Sequence, residues 1–79
     1  MTSNHATITT AQAGKVLGLS GHKVNRLVDS GKLKGFRIPA SNHRRVLKRE
    51  LINFAEDHGI PMDWTAIGDH ETHRRLNGE

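Results

Sequence analysis

Two short amphipathic segments, separated by Gly18 and Leu19, constrain the fold of this chain more than any other feature. The first begins at a capping-box sequence on Thr9, with Thr10 as the alternative cap, and the second spans Ser20–Ser30 and begins with a good helix cap. Helices this short do not persist alone in water, so each has to pack on a neighbour. A connection this tight is too short for the two helices to lie parallel. The pattern therefore predicts a helix-turn-helix unit.

A β-hairpin is predicted after the second helix. In Lys32–Ile38 the residues Phe36 and Ile38 alternate with the arginine between them, which favours a strand and predicts Phe36 in the core. Pro39–His43 is rich in turn-forming residues, and Arg44–Leu47 is the return strand. The hairpin would carry arginines on its flanks and at its tip.

A third helix is predicted over Lys48–His58, because its apolar residues fall on one helical face. Gly59 fits the position after the helix end, and Pro61 prevents the helix from continuing. The predicted fold is mainly α with a small β-hairpin: a winged helix-turn-helix of three helices and one wing, over residues 8–61.

The two ends of the chain give weaker patterns. Residues 1–7 show no periodicity and are predicted to form a flexible arm. Residues 62–79 are acidic and are predicted to form a flexible tail, although two alternatives stay open. Trp64 could cap the core, or Asp69–Leu76 could form one more helix.

Charge is distributed very unevenly along the chain. The segment from Ser20 to Arg49 contains nine basic residues and one acid, Asp29, which gives a net charge of +8. The segment from Glu50 to Glu79 contains two arginines and seven acids, which gives a net charge of −5. Such polarity indicates a polyanionic partner for the basic half, with a merely solubilising face as the alternative.

The second predicted helix presents polar side chains suited to reading DNA. The major groove of B-DNA, about 12 Å wide, accepts one helix. Lys23 and Arg26 can donate to guanine, Asn25 can form a paired contact with adenine, and His22 can donate or accept. Ser20 and the first backbone N–H groups of this helix can hold a phosphate.

The hairpin and its flanks supply further candidate DNA contacts. Arginines suit phosphates and the negative potential of a narrow minor groove, and small polar residues can bond the backbone at the tip. The candidates in the wing are Arg37, Ser41, Asn42, His43, Arg44 and Arg45. Candidates that would position phosphates are Lys32, Lys34, Lys48 and Arg49.

The segment from Ile8 to Gly59 resembles the small excisionase-type and MerR-like winged helix-turn-helix domains. The matching stretches are Thr9–Ser20, the helical Val24-x-x-Leu27-x-x-x-Gly31-x-Leu33, and the wing Phe36–Val46 with its Arg, small-residue tip and His-Arg-Arg. The resemblance implies a bacterial or phage protein, in the cytoplasm on the nucleoid, that controls transcription or assists recombination. The long C-terminal helix of full MerR regulators is missing, so the short excisionase-like or BldC-like type is favoured. In that type, self-association on repeated DNA sites is implied.

Other functional classes find little support in the sequence. The chain has no Cys and its longest apolar run is two residues, which excludes disulfides, thiol catalysis and a membrane-spanning helix. His70 and His73 are spaced loosely like metal ligands, but a third ligand at fixed spacing is lacking. We expect double-stranded DNA as the partner, with no catalysis, cofactor, metal, membrane or small-molecule ligand. The alternative is a protein-interaction adaptor that uses the winged-helix surface and the charged tail.

Overall fold

The computed structural model describes residues 6–41 and 43–77. The elements follow in the order β1 (Thr7–Thr9), α1 (Thr10–Leu17), α2 (Gly21–Asp29), β2 (Gly35–Arg37), β3 (Arg44–Leu47), α3 (Lys48–His58), a 3-10 helix (Trp64–Ile67) and α4 (His70–Asn77). The predicted architecture, mainly helical with a small β-hairpin, is confirmed. A third strand and a fourth helix add to it.

Helix α1 begins at the predicted capping box. The Oγ1 of Thr9 accepts the backbone N–H of Gln12 at 3.0 Å, and the Oε1 of Gln12 accepts the backbone N–H of Thr9 at 3.0 Å. Two N–H groups that a helix leaves without internal partners are thereby satisfied. The sequence therefore located the start of this helix correctly, at Thr9 rather than at Thr10.

A close backbone contact shapes the turn between α1 and α2. Gly18 adopts a left-handed conformation with φ of 73°, and the N–H of Leu19 donates to the Gly14 carbonyl at 2.8 Å. A methyl group on Gly14 would lie only 2.6 Å from the Leu19 carbonyl oxygen. Ser20 then caps α2, its hydroxyl accepting the N–H of Lys23 at 3.1 Å. The Ser20 hydroxyl, a candidate phosphate ligand, thus already serves as a helix cap.

In the structure the wing comprises residues 35–47. Its two strands belong to a three-stranded antiparallel sheet in the order β1-β3-β2. Strand β1 pairs Ile8 with Val46, and β2 pairs Gly35 with the same Val46. The sequence predicted only the hairpin and assigned Thr7 to a flexible arm. Thr7 instead lies in β1, opposite Leu47. Residues 1–5 of the predicted arm lie outside the described residues.

The prediction that Phe36 lies in the core is wrong, because this side chain is 47% exposed. The register places Gly35, next to the buried Val46, on the inner face of β2 and Phe36 on the outer face, opposite Arg45. A methyl group on Gly35 would approach the Arg45 carbonyl to 2.7 Å and the Val28 methyls to 3.3 Å. Only glycine fits this inner position, so the aromatic ring faces outward.

One hydrophobic core joins the sheet to the helices. The most completely buried large side chains are Trp64, Leu33, Leu51, Val16, Val24 and Val46. The core draws on α1, α2, α3, the wing and the 3-10 helix. The helix-turn-helix unit is therefore held to the wing by shared apolar packing.

Residues beyond Pro61 pack onto this core, whereas the sequence favoured a flexible tail over residues 62–79. The N–H of Asp63 donates to the Val16 carbonyl at 2.8 Å, and Trp64 is 1% exposed. Both alternatives that the sequence left open occur together, since Trp64 enters the core and His70–Asn77 is helical. Burial of a large aromatic side chain supplies the driving force that the polar composition of this stretch concealed.

A polar cluster attaches α4 to α3. The Lys48 ammonium forms an ion pair with Asp69, donates to the Thr72 hydroxyl at 2.7 Å, and lies 5.3 Å from the centre of the Trp64 ring. Burial opposes the charged form of Asp69, but hydrogen bonds from Lys48 and Thr72 outweigh it and lower the pKa of Asp69 below its ordinary value. Asp69 also accepts the Thr72 N–H at 3.1 Å, which caps the first turn of α4.

Candidate nucleic-acid interface

The exposed face of α2 carries the side chains proposed to read bases. His22, Lys23 and Arg26 are exposed and Asn25 is half-buried, whereas Val24 lies in the core. At about 100° per residue, His22 and Arg26 lie near the centre of the exposed face. Asn25 lies on one flank and Lys23 on the other. The helix therefore offers a polar ridge with two different sides.

An ion pair joins α2 to the wing. The Nε of Arg44 lies 2.9 Å from Oδ1 of Asp29, and its Nη2 lies 3.1 Å from Oδ2. The two parallel bonds fix both distance and orientation. The Arg44 side chain is only 18% exposed, so it is largely enclosed. The pair holds the wing beside α2 and engages the Arg44 guanidinium within the protein.

The other two wing arginines differ in their surroundings. Arg45 is half-buried and donates from Nε to the Thr7 hydroxyl at 3.2 Å and from Nη2 to the Thr7 carbonyl at 3.4 Å. Arg37 is exposed, and its side chain has no hydrogen bond or ion pair within the part of the chain that the structure describes. Of the three wing arginines, Arg37 is thus the one most available to a ligand.

A groove of about 510 Å³ brings the wing, α2 and the N-terminus of α1 together; we call it the wing groove. Its lining residues are Thr9, Thr10, Ala11, Asn25, Ile38, His43, Arg44 and Arg45. The Oδ1 atom of Asn25 is itself buried and has no hydrogen-bond partner among the described residues. The sequence nominated Asn25, His43, Arg44 and Arg45 as candidate DNA contacts but did not nominate Thr10 or Ala11. The capping box was the available signal, because it marks a helix N-terminus whose free N–H groups can bind anions.

The tip of the wing is held by a local turn. The Ser41 hydroxyl accepts the N–H of His43 at 3.0 Å, and Ala40 has a positive φ of 62°. The His43 side chain is exposed and borders the wing groove. The candidate Asn42 lies outside the described residues.

The basic residues around α2 divide between two environments. Lys32 lines a second groove together with Lys23 and Arg26, on the flank of α2 away from the wing. Lys34 is exposed and lies outside both grooves. Neither lysine ammonium forms a hydrogen bond or ion pair with any described residue.

The two candidates on α3 also differ. Lys48 is bonded to Asp69 and Thr72, as described above, and is only 18% exposed. Its charge is therefore directed inward, toward α4. Arg49, the next residue, is exposed, and its side chain makes no hydrogen bond or ion pair within residues 6–41 and 43–77.

Among the described residues no group of three or more His, Asp or Glu side chains is placed to hold a metal ion. None of the described helices has the length and apolar character needed to cross a lipid bilayer.

A comparison with protein families matches residues 7–59 to a family described as a helix-turn-helix domain. The matched segment begins at β1 and ends at Gly59, the C-cap of α3. Helix α4 lies outside it. Searches of curated proteins and of solved structures found no match.

Proposed function

Because this chain belongs to the excisionase-like family of helix-turn-helix domains, a DNA-binding class, we propose that it binds double-stranded DNA with a sequence preference. Helix α2 enters the major groove, and the wing lies on the adjacent backbone or minor groove. One observation carries this proposal: Asn25 of α2 and the wing residues His43, Arg44 and Arg45 line the same groove. The protein serves as a transcriptional regulator or as an excisionase-like recombination factor, not as an enzyme, in the cytoplasm on the nucleoid.

Base reading falls to the exposed ridge of α2. Arg26 and His22 face outward at its centre, and the half-buried Asn25 lines the wing groove. An Asn amide can pair with adenine, and Arg with guanine. These residues carry the sequence preference of the protein.

Phosphate contacts come mainly from cations that the protein does not already use. They are Lys23, Lys32, Lys34, Arg37 and Arg49, all of them exposed. We leave Lys48 out of this set because Asp69 and Thr72 already bind its ammonium. Arg44 and Arg45 support the wing, and Arg44 contributes to DNA binding by keeping the wing at a fixed distance from α2.

The resemblance to the short BldC-like type also supports cooperative self-association on repeated sites. Opposite charges on the two halves of the chain favour contact between the acidic part of one copy and the basic part of the next. Half-site spacing in selected DNA would report on this arrangement.

Selection of bound duplexes from a random pool tests the proposal. We expect one enriched motif and binding that weakens steeply with salt, since phosphate neutralisation releases counterions. If no motif is enriched in the bound duplexes, the protein has no sequence preference. If no salt-sensitive binding of duplex DNA is detected, DNA is not the partner, and the protein-interaction alternative is favoured.

A further inference from the structure

The groove on the flank of α2 away from the wing combines an apolar floor with a basic rim; we call it the flank groove. It has a volume of about 460 Å³. Its floor consists of Leu19, Leu27, Phe54 and Ile60. Its rim consists of Lys23, Arg26 and Lys32, with Ser30 between them, and no acidic residue lines it.

The positive charge of this rim is not neutralised by the protein. The charged side-chain groups of these three residues form no hydrogen bond or ion pair with another residue in the described ranges. The single acid of α2, Asp29, is bound to Arg44 on the opposite flank of the helix. The flank groove therefore keeps a net charge of +3 over an apolar surface.

This combination differs from what a duplex alone requires. Phosphates complement the three cations but provide nothing apolar to cover the four side chains of the floor. An amphipathic helix that carries carboxylates beside leucine or phenylalanine side chains complements both. We propose that the flank groove binds an acidic amphipathic segment of a partner protein.

A consequence follows for DNA binding, and it rests on the proposed function. Lys23 and Arg26 line the flank groove and also belong to the surface of α2 proposed to contact DNA. A segment seated in the groove covers both side chains, so partner and duplex compete. An acidic partner thereby releases the protein from DNA.

A synthetic peptide tests this proposal on the full chain. The probe is a dye-labelled peptide with Leu and Phe at helical spacing among Asp and Glu, compared with a scrambled peptide of the same composition. Fluorescence anisotropy measures binding to the wild type, to Lys32→Glu and to the matched variant Lys34→Glu, which makes the same charge change outside the groove. Circular dichroism melts confirm that each variant is folded.

We expect Lys32→Glu to weaken peptide binding at least about tenfold and Lys34→Glu to change it less than about twofold, because a charge outside the groove acts only at long range. The scrambled peptide is expected to bind more weakly than the patterned one. Removing part of the apolar floor with Ile60→Ala should weaken the patterned peptide further. Equal losses for Lys32→Glu and Lys34→Glu, or equal binding of the two peptides, would overturn the proposal, because nonspecific charge attraction would then explain the binding.

Binding of labelled duplex DNA is measured on the same samples. Peptide binding with no DNA binding would overturn the proposed function and leave the groove assignment intact. DNA binding with no peptide binding would do the reverse. If both bind, the patterned peptide must displace the duplex, since simultaneous binding would contradict the competition.

Discussion

The close approach of α1 to the following turn makes Gly14 the most informative position in the fold. Intrinsic helix propensity favours alanine over glycine by about 1 kcal/mol, so Gly14→Ala in an isolated helix would be stabilising. In the folded protein the added methyl would lie 2.6 Å from the Leu19 carbonyl oxygen and 3.3 Å from the Gly21 nitrogen. Both neighbours are backbone atoms, which cannot rotate away. The turn itself would have to move.

The expected magnitude follows from these opposing effects. Overpacking in a well-packed site costs about 1–3 kcal/mol or more, and a backbone contact falls at the upper end. After the gain in propensity, we expect Gly14→Ala to lower the free energy of unfolding by about 1–2 kcal/mol. For a domain of this size that corresponds to a fall in Tm of about 4–16 °C. The same shift would displace the N-terminus of α2 and weaken DNA binding.

Gly21→Ala is the matched control, in the first turn of α2. Its methyl would meet the Ala11 Cα at 3.6 Å, an ordinary contact, and its backbone is helical. We expect no loss and a gain of about 0.4–1 kcal/mol from the reduced freedom of the unfolded chain. Thermal and urea denaturation followed by circular dichroism measure both variants. A Gly14→Ala protein as stable as Gly21→Ala would refute the close contact between α1 and the turn.

Three further predictions concern DNA binding by α2, the stability of the fold at acid pH and the turn at the tip of the wing. Arg26→Ala should weaken binding to the preferred duplex by about 1–3 kcal/mol and reduce the preference for that duplex. Lys34→Ala should weaken binding to preferred and random duplexes equally. Equal effects of the two variants in a competition assay would contradict the base-reading role of Arg26. Because the pKa of Asp69 is lowered in the folded state, its charge stabilises the fold above about pH 4, and this contribution disappears as the pH falls through the lowered pKa. Melts between about pH 5 and pH 2 should therefore show a shallower fall for Asp69→Asn than for the wild type, and an unchanged slope would count against the ion pair with Lys48. Ala40→Gly should raise the free energy of unfolding by about 0.5–1 kcal/mol, since glycine adopts a φ of 62° without strain, and a lower Tm would show that the turn at the tip differs.

Local signals in the sequence were sufficient for the boundaries of the first three helices. Thr9, Ser20 and Gly59 occupy the cap positions that the sequence assigned to them, and α3 spans the predicted Lys48–His58. Caps are visible in a sequence because their hydrogen bonds join residues within one turn of each other. These boundaries depend on nothing distant in the chain.

The sequence was less informative wherever partners are far apart. Strand β1 is three residues long and becomes a strand only because Val46, nearly forty residues later, pairs with Ile8. Phe36 faces outward because Gly35 alone fits against the Arg45 backbone, which residue alternation cannot reveal. The ordering of the C-terminal segment depends on space in the core for Trp64. Each of these outcomes is set by tertiary packing, which overrides local pattern.

Tertiary contacts also decide how many of the basic side chains are available to DNA. Of the nine basic residues between Ser20 and Arg49, the structure engages three within the protein: Arg44 with Asp29, Arg45 with Thr7, and Lys48 with Asp69. The other six are exposed, and their side chains make no hydrogen bond or ion pair in the described ranges: Lys23, Arg26, Lys32, Lys34, Arg37 and Arg49. Arg26 is proposed to read bases; if each of the other five neutralises one phosphate, the logarithm of the binding constant falls with the logarithm of salt concentration with a slope of about −4.5. A slope close to about −7 would mean that Arg44, Arg45 and Lys48 leave their internal partners and bind phosphates, and the wing would then have to rearrange on binding.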